Sequence, residues 1–164
     1  MKVLHVVRHA KSSWDDNGVA DIDRSLKSRG IRNAYELARK LKLDNLVPQK
    51  IISSPADRAL HTAVIFARVL NFPLSELEIN NMLYDSSTEK ILEKIRNIGN
   101  EFKSVMIFGH NPEFTDLVNH FVKSPLDNLP TAGTATLKFN TDKWMEIDRD
   151  NLEGCMFNLP NREE

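Results

Sequence analysis

Lys2-Val3-Leu4-His5-Val6-Val7-Arg8-His9, residues 2–9, is a Val-rich run that stops at an arginine and a histidine. A short apolar run bounded by a polar loop reads as a buried strand. A second run of the same kind, Ser104-Val105-Met106-Ile107-Phe108-Gly109, also stops at a histidine, His110. Between the two lie amphipathic patterns. Ile31, Ala34, Leu37, Ala38 and Leu41 recur at helical spacing and predict a helix over 28–42. Lys50–Ser53 reads as a strand, and Ala59, Ala63, Phe66, Ala67 and Leu70 mark the next helix. A weaker strand is expected over 77–83, then a helix capped by Thr88 that carries Ile91, Leu92, Ile95 and Ile98.

Pro112 suits the opening turn of a further helix running through Phe114, Leu117, Val118 and Phe121. Beyond it, Thr134–Phe139 and residues 144–148 read as a hairpin turning at Asn140–Lys143. Strand–helix alternation of this kind predicts an α/β fold. The expected architecture is a three-layer sandwich, its mostly parallel central sheet flanked by helices, with an antiparallel edge. One domain is expected over residues 1–164.

Composition sets outer limits. The chain has 164 residues, 41% hydrophobic and 27% charged, with a formal net charge of −1. There is no global field to hold nucleic acid or an anionic membrane, so any anion must be bound by a local basic cluster. The single cysteine, Cys155, permits neither an internal disulfide nor a thiolate metal cage. The first residues are too short and polar for a signal peptide, and no apolar run approaches a membrane span. A reducing, cytoplasmic location is the expectation.

Three strands deliver the same kinds of side chain. The first ends at Arg8-His9; the second is followed by Ser54-Pro55 and by Arg58 in the next helical turn; the third ends at His110. Ligands of open α/β sheets bind beyond the carboxyl ends of strands. Guanidinium groups match phosphate oxygens with paired donors and stay charged at any working pH. A neutral imidazole beside them is a competent nucleophile, because neighbouring cations disfavour its protonated form. A second imidazole could hold a phosphate oxygen or move a proton.

These residues also carry a resemblance. Arg8-His9-Ala10, Ser53-Ser54-Pro55-Ala56-Asp57-Arg58-Ala59 with Thr62-Ala63, and Gly109-His110-Asn111-Pro112 resemble the motifs of the histidine phosphatase (phosphoglycerate mutase-like) superfamily. Asp23-Arg24-Ser25-Leu26 and Arg29-Gly30 extend the likeness over nearly the whole chain, most closely to the short SixA-like branch of phosphohistidine phosphatases. The resemblance implies that His9 is transiently phosphorylated. Arg8, Arg58 and His110 then form the rest of a pocket for phosphate or sulfate, and Arg24 helps bind phosphate or substrate. It further implies no metal and no organic cofactor, and a phosphohistidine-bearing protein as partner. No nucleic acid and no membrane are expected as partners, and a monomer is favoured.

Two departures from the family pattern bear on chemistry. Ala10 stands where the superfamily motif has glycine, which is tolerable at negative φ. Larger relatives place a carboxylic acid between the second arginine and the second histidine; here Asp85 is the candidate general acid, with a turn residue as the preferred reading. A phosphoramidate nitrogen accepts a proton more readily than an ester oxygen, so a missing acid suits phosphohistidine. The roughly fifty residues between Arg58 and His110 are taken up by regular elements, which leaves no cap domain. The alternatives are a small-molecule phosphomonoesterase with the same pocket and a non-catalytic phosphate-binding module; a mutase fits less well.

Other signals read more plainly. His5 is expected to be structural, His61 to support the site at most from behind, and His120 to be surface or packing. Asp15, Asp16, Asp21 and Asp23 lack the spacing of a calcium loop and read as a solvated turn. Lys11 adds charge at the pocket mouth or is a surface lysine. Trp14 and Trp144 either pack at the surface or line the approach.

Overall fold

The computed structural model describes residues 1–14 and 18–161. Its centre is a six-stranded sheet built from β1 (Lys2–Arg8), β2 (Lys50–Ser53), β3 (Glu78–Ile79), β4 (Ser104–Gly109), β5 (Thr134–Phe139) and β6 (Leu152–Asn158), in the order β3-β2-β4-β1-β5-β6. The first four neighbours pair in parallel, while β5 is antiparallel to both β1 and β6. β1 and β4 therefore sit in the middle, buried on both faces, which is why their sequences are continuous apolar runs rather than alternating ones.

Four helices cover the sheet: α1 (Ser28–Leu43), α2 (Asp57–Val69), α3 (Thr88–Arg96) and α4 (Glu113–Phe121). Alternation along β4 splits the core in two. Val105 and Ile107 join the Phe114, Leu117 and Phe121 cluster of α4, which also takes Ile91 and Ile95 of α3. Met106 and Phe108 join Ala34, Leu37 and Leu41 of α1 and Ala63, Phe66 and Ala67 of α2. The three layers and the antiparallel edge thus follow the sequence reading. No described helix is long and apolar enough to cross a membrane.

Parallel pairing brings the carboxyl ends of β1, β2 and β4 to one rim. Arg8 is in register with Gly109, and Ser53 with Phe108. The loops leaving this rim are fixed by backbone bonds: the N–H of His9 donates to Gly109 O at 3.0 Å, and that of Ser54 to Phe108 O at 2.9 Å.

Three local expectations are corrected. Residues 144–148 are not a strand. Trp144 is fully buried in a short 3-10 turn, its indole N–H donating to Phe102 O at 2.8 Å, and Ile147 plugs the same core. Asp148 and Asn151 then cap a second turn, and the partner of β5 begins only at Leu152. The strand-like composition of 144–148 reflects core plugging, not a ladder. Within 77–83 only Glu78–Ile79 pairs, because the Asn80 side chain accepts from Met82 N–H and turns the chain. Ser87, not Thr88, caps α3, accepting from Lys90 N–H.

Gly30 ties α1 to the loop after His9. A Cβ there would overlap the Lys11 carbonyl and stand 2.8 Å from Lys11 N. Lys11 O in turn accepts from Lys27 N–H at 2.9 Å. Neither obstacle is the tip of a flexible side chain. Gly30→Ala is expected to cost about 1–3 kcal/mol by overpacking, lowering Tm by about 3–10 °C, as thermal denaturation would show; an unchanged Tm would contradict the close packing.

Candidate active site

A cavity of about 400 Å³ opens at the carboxyl rim of the sheet, lined by Arg8, His9, Arg24, Arg58 and His110, with Lys11, Ser12, Trp14, Asp21, Asn111 and Thr131 around them. All five basic residues singled out in the sequence for the pocket are therefore brought together.

His9 is buried, and its Nδ1 lies 2.7 Å from the Ala10 carbonyl oxygen. A carbonyl only accepts, so Nδ1 carries the proton and the lone pair resides on Nε2. Burial, reinforced by the charges of Arg58, Arg8 and Arg24, pulls the His9 pKa down to about 4 despite the opposing bond to Ala10. Its backbone is pinned as firmly: Ala132 N–H donates to His9 O at 3.0 Å from the left-handed region, φ 61°. An alanine held there is backbone strain next to the site. Ala10 itself is fully buried without positive φ, which is how the methyl group is accommodated where the family has glycine. Its N–H donates to Thr62 Oγ1, and that hydroxyl donates to Arg58 O at 2.7 Å, which ties the His9 loop to α2.

His110 faces His9 with ring centroids 5.2 Å apart. Its Nε2 is 2.8 Å from Ser54 Oγ. Burial, then the neighbouring His9 and Arg58, pushes its pKa down to about 3. Arg8 Nη1 donates to Leu129 O at 3.0 Å, which aims its guanidinium. The peptide bond between Asn111 and Pro112 is cis.

Asp21 is the residue that sequence reasoning missed. Its carboxylate accepts from Arg58 Nη2 at 3.0 Å, from the Tyr84 hydroxyl at 2.9 Å and from Arg24 Nε at 3.1 Å, while its carbonyl accepts from Arg58 Nη1 at 2.7 Å. Burial works against its charge, yet the bonds from Tyr84 and Arg58 hold its carboxyl below the usual range. The solvated turn expected from the sequence does not describe Asp21, which is the anion that fastens Arg58 and Arg24. The available signal was Arg24 three residues on, but Arg58 lies 37 residues away. Asp15 and Asp16 of the same turn lie outside the described residues.

Asp85 does not join the cavity lining: it is exposed, with φ 50°, as a turn residue. Its neighbour Tyr84 takes the place near the site, ring against His110 at 5.5 Å between centroids. Trp14, 72% exposed, lines the approach, with the Arg24 guanidinium 3.5 Å from its ring centroid; Trp144 is core. Lys11 is exposed at the cavity mouth. His61 is exposed in a separate depression with Asp57 and Arg68, not behind the site. His120 is exposed and edges onto Phe121. His5 is structural, its Nδ1 2.9 Å from Thr136 Oγ1, and burial lowers its pKa to about 4.

His5, His9 and His110 make stability depend on pH with a definite sign. Each is neutral in the folded protein down to about 4 or below, whereas in the unfolded chain it gains a proton near 6.5. The stability they carry is whole above 6.5 and is lost as pH falls towards 4. At pH 5 the loss is about 2 kcal/mol per histidine. Thermal unfolding from pH 7.5 to 5 is expected to show a steep fall in Tm that is shallower in His110→Asn; parallel curves would contradict it.

Comparisons with known proteins agree with this geometry. The model of the histidine phosphatase superfamily (branch 1) matches residues 4–94, more than half of the chain. A structure from Agrobacterium tumefaciens, assigned as the phosphohistidine phosphatase SixA, is 28% identical with a TM-score of 0.78, covering 84% of this chain and 92% of that one. The protein histidine phosphatase SixA complexed with tungstate shares the fold at 21% identity and a TM-score of 0.76, covering 95% of this chain and 94% of that one. An uncharacterized protein of Mycobacterium leprae is 26% identical across 94% of this chain and 99% of its own. With the motif residues gathered in one cavity at the strand ends, this chain belongs to the histidine phosphatase superfamily, branch 1, and is of its SixA-like kind.

Proposed function

We propose that the protein hydrolyses phosphohistidine on another protein through a transient phospho-His9. The observation that carries this reading is the His9 ring: neutral, locked with its lone pair on Nε2, and surrounded by Arg8, Arg24, Arg58 and His110. Nε2 attacks phosphorus, and the P–N bond of a phosphohistidine already protonated on its other ring nitrogen breaks with its electron pair going to the imidazole, which leaves neutral with no enzyme acid. Water then attacks the phosphorus of phospho-His9, releases inorganic phosphate and returns the lone pair to Nε2. The arginines hold the equatorial oxygens throughout.

The cavity wall supports an acceptor-rich ligand: it presents the guanidinium groups of Arg8, Arg24 and Arg58 and the imidazole of His110, donors suited to phosphate oxygens. The substrate class is supported by the acids. Among the described residues, the one carboxyl group in the cavity wall is Asp21, which is held ionised and so cannot donate a proton. An alkyl ester, whose leaving oxygen needs that proton, is poorly served; a phosphoramidate is not.

The test is phosphate release from a phosphohistidine-bearing protein domain and from an aryl phosphate. The reading expects turnover of the phosphoprotein at the higher kcat/KM. Turnover of the aryl ester alone would move the small-molecule phosphomonoesterase ahead, and release from neither would leave a phosphate-binding module.

A further inference from the structure

Trp14 stands apart from the rest of the catalytic cavity's wall. Among the described residues it is the one apolar side chain there, and it is 72% exposed. Its ring centroid lies 3.5 Å from the Arg24 guanidinium carbon. That guanidinium is itself fixed, Nε donating to Asp21 Oδ1 and Nη1 to Ser12 Oγ, both at 3.1 Å. Stacking on a cation held at two points fixes the indole in turn, yet leaves most of the residue open to solvent. A second exposed apolar residue, Val19, shares a smaller depression with Arg24, so the apolar surface here is not confined to one side chain.

His9 is only 7% exposed, so a phosphoryl group must travel inward to meet it. A histidine side chain is short, and the main chain bearing a phosphohistidine therefore comes down against the cavity mouth. Residues on either side of the phosphohistidine then meet the wall where Trp14 and Lys11 are exposed. A polar neighbour gains little from an indole. An apolar side chain gains more, because contact removes its carbon and that of the indole from water together. An aromatic ring already held in place loses little freedom on binding, and tryptophan is enriched among the residues that dominate protein interfaces.

We propose that Trp14 is a docking residue for the phosphorylated protein, taking an apolar side chain that lies within a few residues of the phosphohistidine. This rests on the phosphatase reading above and adds to it the feature that selects among phosphohistidines. The cavity fixes the phosphoryl group, and Trp14 fixes the polypeptide that carries it. Phosphoramidate, which offers the phosphoryl group without a polypeptide, makes no use of the contact. Trp14 also shields Arg24. Shielding serves every substrate alike, whereas docking serves only those with an apolar neighbour.

The experiment compares kcat/KM for two phosphohistidine peptides, one with leucines flanking the phosphorylated residue and one with serines there, alongside phosphoramidate itself. Wild type is expected to favour the leucine peptide by about fivefold, the size of a leucine partly buried against an open face. Trp14→Ala is expected to bring that preference below about twofold, and Trp14→Phe to keep about threefold, since phenylalanine offers the same kind of contact. Whatever either variant loses through Arg24 falls equally on both peptides and on phosphoramidate, and so cancels in the ratio. Equal kcat/KM for the two peptides in wild type would overturn the proposal. So would a preference that survives Trp14→Ala, or one lost as fully in Trp14→Phe. Failure of the phosphatase reading is separately visible, as wild type releasing phosphate from none of the three. Docking is then read from acrylamide quenching of tryptophan fluorescence with the unphosphorylated peptides. The other tryptophan, Trp144, is fully buried, so the quenching reports Trp14. Stronger protection by the leucine peptide supports the proposal, and equal protection overturns it.

Discussion

His9→Ala is expected to lower phosphate release from a phosphohistidine protein by about four orders of magnitude or more, the scale seen when a nucleophile is removed. Nε2 of His9 is the proposed attacking atom, and the other cavity imidazole does not replace it: the Nε2 of His110 is engaged with Ser54. The substitution is expected to spare the fold. The side-chain bond of His9 is local, to Ala10, whereas the main-chain bonds to Gly109 and Ala132 survive it. Arg8, Arg58 and His110 remain in place, so inorganic phosphate should still bind while turnover is gone. Circular dichroism and phosphate titration separate this outcome from unfolding. Turnover within about tenfold of wild type would place the nucleophile elsewhere.

Arg58→Ala is expected to cost about three orders of magnitude in kcat/KM, through two effects of the same sign. The first is loss of the guanidinium that offsets charge on the phosphoryl oxygens. The second is electrostatic reversal: Asp21 loses the cation to which both its carboxylate and its carbonyl are bonded, and a carboxylate in the cavity wall then repels the substrate. Two consequences distinguish this account from simple loss of a contact. Arg58→Lys should rescue little, because an ammonium cannot reproduce the planar fork that spans Asp21 O and Oδ2. Adding Asp21→Asn to Arg58→Ala should recover about tenfold of the loss by removing a carboxylate that Arg24 alone then balances. Steady-state kinetics of the two single variants and the double variant check this, and strict additivity would contradict the coupling.

The sequence made the centre of the fold legible because β1 and β4 are buried on both faces and announce themselves as apolar runs. It also made Arg8, His9, Arg58 and His110 legible, since each follows a strand and strand ends share one rim in a parallel sheet. What escaped is long-range. Trp144 and Ile147 have strand-like side chains, but they plug the core beside Phe102, and β6 is an edge whose exposed residues alternate poorly. Asp21 looked like turn chemistry because its local context is a short 3-10 turn; its partners Arg58 and Tyr84 come from distant segments. Asp85 and Tyr84 are adjacent, and which of them reaches the site depends on a left-handed backbone at Asp85 that composition does not reveal.

The most direct test of the account is to trap the intermediate: mix the protein with a phosphohistidine substrate radiolabelled at phosphorus, quench in alkali within one turnover, and map the label by peptide sequencing. The account predicts an alkali-stable, acid-labile label on His9, absent from His9→Ala and chased to inorganic phosphate in wild type. Label on any other residue, or rapid phosphate release with no labelled protein at any quench time, would contradict it.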